Sequence, residues 1–287
     1  MLSIKEYRVD GRAKFHIAKA DPDTTAEFKS KEDAEKRLAE NIVRMQDLEG
    51  KLYAEDTYSI LIIIQAMDTA GKDGAIKHVM SGLNPQGTVV RSFKQPSAEE
   101  LNHDYLWRAH KALPQRGQIG IFNRSYYEDV LVVRVHELLD KQRLPDELIT
   151  DDVWERRYRQ INQFEKYLTE NGTIVLKFFL HISKDEQRKR LLDRINDKSK
   201  NWKFSEADLK EREFWDQYQS SYQEAIRKTG TETAPWYVIP ANKKWFARLL
   251  VSEIIAQTME RLKLKFPTLN KDQRDSLEKY KRKLMKQ

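Results

Sequence analysis

Apolar residues return at helical spacing across residues 30–55, at Ala34, Leu38, Ile42, Met45, Leu48 and Leu52, and predict a helix. Ser30 is placed to cap it and Asp33 to return the contact. The rhythm then changes. From Tyr58 to Ile64 runs an apolar, β-branched stretch, the pattern of a strand buried on both faces, and it predicts a first strand over 58–66. Shorter runs at 88–93, 118–122, 173–182 and 236–239 predict four more strands. Between them helical spacing covers 72–81, 96–112, 126–139, 151–171, 184–195, 205–229 and 242–262. The turn Asn84-Pro85-Gln86-Gly87, Pro114 and Gly172 punctuate the pattern. Residues 1–30 keep neither rhythm and read as an irregular arm.

Strands alternating with helices predict an α/β fold, a five-stranded parallel sheet covered on both faces. The chain divides into an N-terminal arm and helix (1–56), a main domain (57–262) and a C-terminal segment (263–287). No internal repeat or low-complexity linker interrupts it. In such sheets ligands gather at the carboxyl ends of the strands. Asp68 to Lys72, Lys94 and Asn123-Arg124 each follow directly on a strand. The pattern therefore predicts that all three lie on one rim.

The first of these carries the clearest chemistry. The run Gln65-Ala66-Met67-Asp68-Thr69-Ala70-Gly71-Lys72-Asp73-Gly74 joins strand to helix. It approximates the phosphate loop G-x-x-x-x-G-K-[ST], with Ala66 at the first glycine and Asp73 at the Ser/Thr. Backbone N–H groups from Ala70 to Gly74 and the helix N-terminus suit phosphate oxygens, and Lys72 adds a compact charge. Asp68 and Asp73 offer hard oxygens for a metal. The plain alternative is a strand–turn–helix junction with aspartates at turn and cap positions.

Two further segments belong beside it. In Asn123-Arg124-Ser125-Tyr126-Tyr127-Glu128-Asp129, Arg124 can clamp a phosphate bidentately, and Glu128 or Asp129 must supply any second metal-binding carboxylate. The plain alternative pairs Arg124 with a helix-start acid and leaves Ser125 as an N-cap. Residues 188–203 hold seven bases against Asp193 and Asp197. Arg190 and Arg194 are four apart, on one helix face, and a mobile basic segment over a phosphate site could supply transition-state charge. The alternative is an exposed helix with solvated arginines. Trp202 reads as an anchor for this segment, and Trp236 as core.

Composition narrows the classes. The chain has no cysteine, which excludes disulfides, thiolate metal sites and cysteine nucleophiles. Its six histidines lack paired metal-ligand spacing, and no G-x-S-x-G element supports a hydrolase. The start lacks a signal-peptide stretch, and no apolar run approaches a membrane span, so a soluble, cytoplasmic protein is expected. The net charge of +7 is local: residues 261–287 hold ten bases and three acids, while the other 260 residues balance. The body is neutral and the tail basic. A tail-driven nucleic-acid binder would not need the loop carboxylates, and aromatic–basic interleaving is weak. An ordinary kinase with ATP as donor would need fewer bases than stand at Lys77, Lys94 and 188–203.

Taken together, the segments QAMDTAGKDGAIKHV, NPQG, SFKQPS, HDYLWRAH, GQIGIFNRSYYEDVLVVRV, DRINDKSKNWKFS, EREFWDQY and APWYVIPANKKW resemble the polyphosphate kinase 2 family over residues 52–262. The resemblance implies a three-layer P-loop kinase fold with a helical lid at about 184–229. It implies reversible phosphoryl transfer between inorganic polyphosphate and nucleotides, ADP to ATP and AMP to ADP. Mg²⁺, or Mn²⁺ in its place, would assist. The acceptors would be adenine, and by extension guanine, nucleotides. No specific nucleic acid or membrane is implied, and the family often forms homo-dimers or tetramers. By position, Asp68, Lys72, Arg124, Glu128, Arg190 and Arg194 would be catalytic. Ala70, Gly71, Lys72, Asp73, Gly74, Lys77, Lys94, Arg124, Lys200 and Lys203 would hold phosphate. Asp68, Asp73 and Glu128 would hold metal. Glu128 resembles the acid of the branch that accepts both mono- and diphosphates, and Asn123 stands where some members carry a metal-binding Asp.

Overall fold

The computed structural model describes residues 2–287, apart from the side chain of Lys203. In chain order the regular elements are β1 (Arg8–Val9), α1 (Lys31–Glu55), β2 (Ser59–Ala66), α2 (Lys72–Val79), β3 (Thr88–Ser92), α3 (Trp107–Lys111), β4 (Ile119–Asn123) and α4 (Val132–Val135). They continue with α5 (Val153–Glu170), β5 (Thr173–His181), α6 (Lys184–Asn196), α7 (Glu206–Glu213), α8 (Trp215–Thr229), β6 (Trp236–Pro240), α9 (Lys244–Arg261) and α10 (Lys271–Leu284).

The strands form one sheet in the order β1-β6-β5-β2-β4-β3. Five are parallel, and all five apolar runs became strands. The sheet nonetheless has six strands: Arg8 and Val9 pair antiparallel with Tyr237 and Trp236 at one edge. A two-residue strand leaves no periodicity to read. The arm that carries it is fastened, with Leu2, Ile4, Tyr7 and Ile17 buried in the main core. β2 is central, with Ile60–Ile64 opposite residues of β4 and β5. All eight of its residues are buried, as a parallel strand covered on both faces requires. Helices α1 and α2 pack on α9, and α4 and α5 pack on α8, so helical layers flank the sheet.

Ser30 caps α1 through the Asp33 amide, and its hydroxyl donates to the Asp33 carboxylate at 2.8 Å. α9 is apolar on nearly every side and buried through most of its length, with Lys244, Glu260 and Arg261 exposed at its ends. Its one buried acid, Glu253, accepts from Asn41 at 2.9 Å and Arg37 at 3.3 Å of α1. Three expected helices are interrupted. The 96–112 helix is a 3-10 turn, Glu100–Asn102, and then α3, because Asp104 restarts the chain by accepting from the Leu106 amide. The 126–139 stretch is the 3-10 turn Tyr126–Val130 and one turn of α4. Residues 205–229 divide at Phe214 into α7 and α8. The basic tail ends in α10, exposed throughout. Among the described residues no helix is long and apolar enough to cross a membrane.

Candidate active site

β2 ends at Ala66, and the chain turns through Met67–Gly71 into α2. Gly71 is the N-cap of α2 at φ +106°, a conformation that favours glycine. Thr69 sits at φ +66°, unusual for a β-branched residue. The loop is held from behind. Arg190, only 4% exposed, donates to the carbonyls of Thr69 at 3.1 Å and Ala70 at 2.8 Å. Its other terminal nitrogen donates to Ala241 at 2.6 Å and Asn242 at 2.8 Å, and its Nε to Glu186 at 2.7 Å. All five guanidinium hydrogens are engaged.

In front of the loop lies a cavity of about 570 Å³. Its lining includes Asp68–Lys72, Lys94 and Asn123-Arg124, so the three strand ends do share one rim. Among the described residues eight bases border it (Lys72, Lys94, Arg124, Arg190, Arg194, Lys200, Lys244, Arg248) against Asp68, Asp73 and Asp193. Lys72 folds back, its Nζ donating to the Ala66 carbonyl at 3.0 Å. Burial, and after it the charge of Arg124, push the Lys72 ammonium below its ordinary pKa. Asn123 donates to Asp73 at 2.8 Å and so fastens the end of β4 to the start of α2.

Arg124 stands at φ +63° and links two carboxylates, Asp68 at 2.8 Å and Glu128 at 3.1 Å. Burial alone would lower its pKa; Glu128 and Asp68 outweigh that and raise it. The plain pairing of Arg124 with a helix-start acid is therefore present, and Ser125 does cap the following turn. The pair also forms a boundary. Asp68 and Arg124 line both the large cavity and a second one of about 270 Å³. The second is acidic and aromatic, with Glu128, Asp208, Glu211, Tyr218 and Tyr222. Burial and the nearby Asp68 push the Asp208 carboxyl up, against the opposing charge of Arg194.

The segment carrying Glu128 rests on a buried polar network. Lys177 Nζ reaches Glu165 at 2.5 Å, the Thr229 carbonyl at 2.7 Å and the Tyr127 hydroxyl at 3.1 Å. Tyr126 and Tyr127 both donate to Glu165, at 2.9 and 2.8 Å.

Several expected residues sit elsewhere. Lys77 is exposed on α2 and lines neither cavity. Glu128 lines only the second cavity, and Lys200 reaches the first while paired to Asp197 at 2.5 Å. The Lys203 side chain lies outside the described residues. Trp202, read as an anchor for the basic segment, is 78% exposed, and its indole donates to the Ser199 carbonyl of the same segment. Arg190 borders the cavity from beneath the loop with its donors already used, while Arg194, four residues on, borders it too and donates to Asp208 at 2.9 Å. The three metal candidates are not gathered: among the described residues no three Asp, Glu or His groups form a cluster able to hold an ion. Mg²⁺ needs only one or two carboxylates and completes its shell with water and substrate phosphate. Asp68 and Asp73, both facing the basic cavity, fit that requirement. Lys244, Arg248, Asp208 and Tyr222 were missed in the sequence. The first two begin the helix after β6, the signal that singled out the other three strand ends.

Residues 28–267 match the family model for polyphosphate kinase 2. The chain is 48% identical to an ADP-polyphosphate phosphotransferase of Rhodopseudomonas palustris, covering 99% of each. It is 49% identical to an AMP/ADP-polyphosphate phosphotransferase of Meiothermus ruber, covering 92% of this chain and 96% of that one. The crystal structure of polyphosphate kinase 2 from Arthrobacter aurescens superposes with a TM-score of 0.85 at 44% identity, covering 93% of this chain and 92% of that one. A matched model over most of the chain, and full-length relatives near half identity, place it: the chain belongs to the polyphosphate kinase 2 family.

Proposed function

We propose that this enzyme transfers a phosphoryl group reversibly between inorganic polyphosphate and adenine nucleotides, ADP to ATP and AMP to ADP, with Mg²⁺ bound beside the loop. One observation carries the reading: a basic cavity and an acidic, aromatic one meet at Asp68 and Arg124. Polyphosphate offers no base or sugar to recognise, only a line of charge, and the eight bases of the larger cavity answer that. The nucleotide enters the smaller cavity, where tyrosines and acids face its base and ribose.

The loop at 66–74 acts as a P-loop. Its amides and Lys72 hold the terminal phosphates, Lys72 exchanging the Ala66 carbonyl for phosphate oxygens. An acceptor phosphate oxygen attacks the terminal phosphorus in line; the bond to the bridging oxygen breaks, and the chain departs one phosphate shorter. Arg124 spans the transferred group from the boundary between cavities, and Asp68 orients the acceptor. Arg194 supplies charge from the lid, and Arg190 keeps the loop in place. Mg²⁺, held by Asp68 and Asp73, would neutralise phosphoryl oxygens. Glu128, on the nucleotide side, supports the AMP reaction.

The test is incubation with long-chain polyphosphate, Mg²⁺ and either ADP or AMP. ATP should form from ADP and ADP from AMP, and chelation of the metal should stop both. Folded protein that makes no ATP from ADP would overturn the proposal; product from ADP alone would remove the AMP reaction. Asp68→Asn should lower kcat by about 10² or more without loss of fold.

A further inference from the structure

The Ala70 amide donates to the Met67 carbonyl at 3.2 Å, so Met67–Ala70 is a β-turn at the root of the loop. Asp68 keeps a negative φ while Thr69 stands at +66°. That is the combination of a type II turn, whose third position belongs to glycine. Turning over the central peptide, from the Asp68 carbonyl to the Thr69 N–H, gives a type I turn instead. Threonine then sits at an ordinary negative φ, and the Ala70–Met67 bond survives. A residue in the less favourable conformation persists only where its surroundings hold it. Among the described residues one hydrogen bond holds this peptide: Gln187 Nε2 donates to the Asp68 carbonyl at 3.2 Å. Gln187 lies in α6 and is 2% exposed. Its Oε1 accepts from Arg212 of α7 at 2.9 Å. A guanidinium only donates, so the amide cannot turn round and its NH₂ stays on Asp68. The Thr69 hydroxyl is buried without a partner among the described residues and adds no restraint.

We propose that Gln187 is a positioning residue that latches the 68–69 peptide in its type II orientation. The two ends of a peptide point opposite ways, so the Thr69 N–H is turned away from Gln187. Thr69 lines the large cavity and not the second one, which Gln187 lines. The latch thus presents the Thr69 N–H to phosphate beside the amides of residues 70–74. This rests on the function proposed above and adds to it one donor and the side chain that keeps it aimed. Without Gln187 the peptide turns over. Thr69 relaxes, and the Asp68 carbonyl oxygen, a partial negative charge, replaces an N–H in front of a polyanion.

The experiment measures ATP formation from ADP and long-chain polyphosphate in Gln187→Met and Gln187→Glu, each alone and with Thr69→Gly. Gln187→Met should lower kcat/KM for polyphosphate by roughly tenfold or more. Glycine takes either turn without strain, so with Thr69→Gly already present the same change should lower it by no more than about threefold. In Gln187→Glu the loss should shrink as pH falls from about 8 to about 5.5, because the protonated carboxyl regains a donor for the Asp68 carbonyl. A crystal structure of Gln187→Met should show Thr69 at negative φ. Equal losses with Thr and with Gly at position 69, as a direct contact between Gln187 and the nucleotide would produce, overturn the latch. So does a Gln187→Met variant within about twofold of the unaltered protein, or one whose Thr69 stays at positive φ. If the unaltered protein makes no ATP, the underlying function falls, and the φ of Thr69 in Gln187→Met still decides the latch.

Discussion

Arg190 offers the sharpest discrimination between two uses of a cation. If its charge serves the reacting phosphates, Lys should replace it tolerably; if its five donors fasten the loop, Lys should fail. The structure favours the second. The side chain is 4% exposed and bridges two pairs of carbonyls, Thr69 and Ala70 on the loop and Ala241 and Asn242 after β6. An ammonium has three donors around one point and cannot serve both pairs. Arg190→Lys therefore orphans two buried carbonyls, at about 1–3 kcal/mol each. Part of that is recovered if the loop relaxes, because Thr69 at φ +66° stores strain of order 1–3 kcal/mol. The expected loss of stability is thus about 2–4 kcal/mol, read from urea unfolding by circular dichroism. Relaxation has its own cost: a loop displaced by about 1 Å lowers kcat by about 10². Arg194→Lys, at a more open position, should cost under about 1 kcal/mol. An Arg190→Lys variant within about 0.5 kcal/mol of the original and retaining most of its kcat would refute the clamp.

Two other predictions concern buried charge. Burial raises the Asp129 carboxyl from 3.8 to about 6, against the opposing charges of Arg157 and Arg108. A raised folded pKa gives stability that is complete below about pH 4 and lost as pH rises through about 6. The stability of the original protein relative to Asp129→Asn should therefore fall by about 2–3 kcal/mol between pH 4 and pH 7, and a flat difference would exclude the effect. Lys177→Met leaves Glu165 buried and unpaired and should cost about 3–5 kcal/mol by urea unfolding; adding Glu165→Gln should recover at least half of that loss, and no recovery would show that packing, not charge, governs the site.

How much of this was legible follows from how each feature is encoded. β2 announced itself because a strand buried on both faces must be continuously apolar, as residues 60–64 are. β1 was not legible, because two residues have no period; its signal is tertiary, the open edge of β6. Helix breaks at 103–106 and Phe214 come from local side-chain and backbone contacts that helical spacing does not register. In the site, spacing put Arg190 and Arg194 on one face, and both border the cavity, but not in one role: the donors of the first are taken up by the loop and its neighbours, while the second reaches Asp208. The network of Lys177, Glu165, Tyr126 and Tyr127 bonds residues as far as 50 apart in sequence, too far for any local pattern to show.

The central place of β2 has a consequence for where the molecule can loosen. A strand paired on both sides and covered on both faces opens only when the whole domain opens, so its amides should be the last to exchange with solvent. The loop proposed to hold phosphate hangs from that strand's final residue. Fraying at the sheet margins, in the arm of β1 or along β3, can proceed as a local event while the loop keeps its position. The site thus draws its precision from the slowest-opening element, and motion elsewhere in the chain is left free to admit and release substrates.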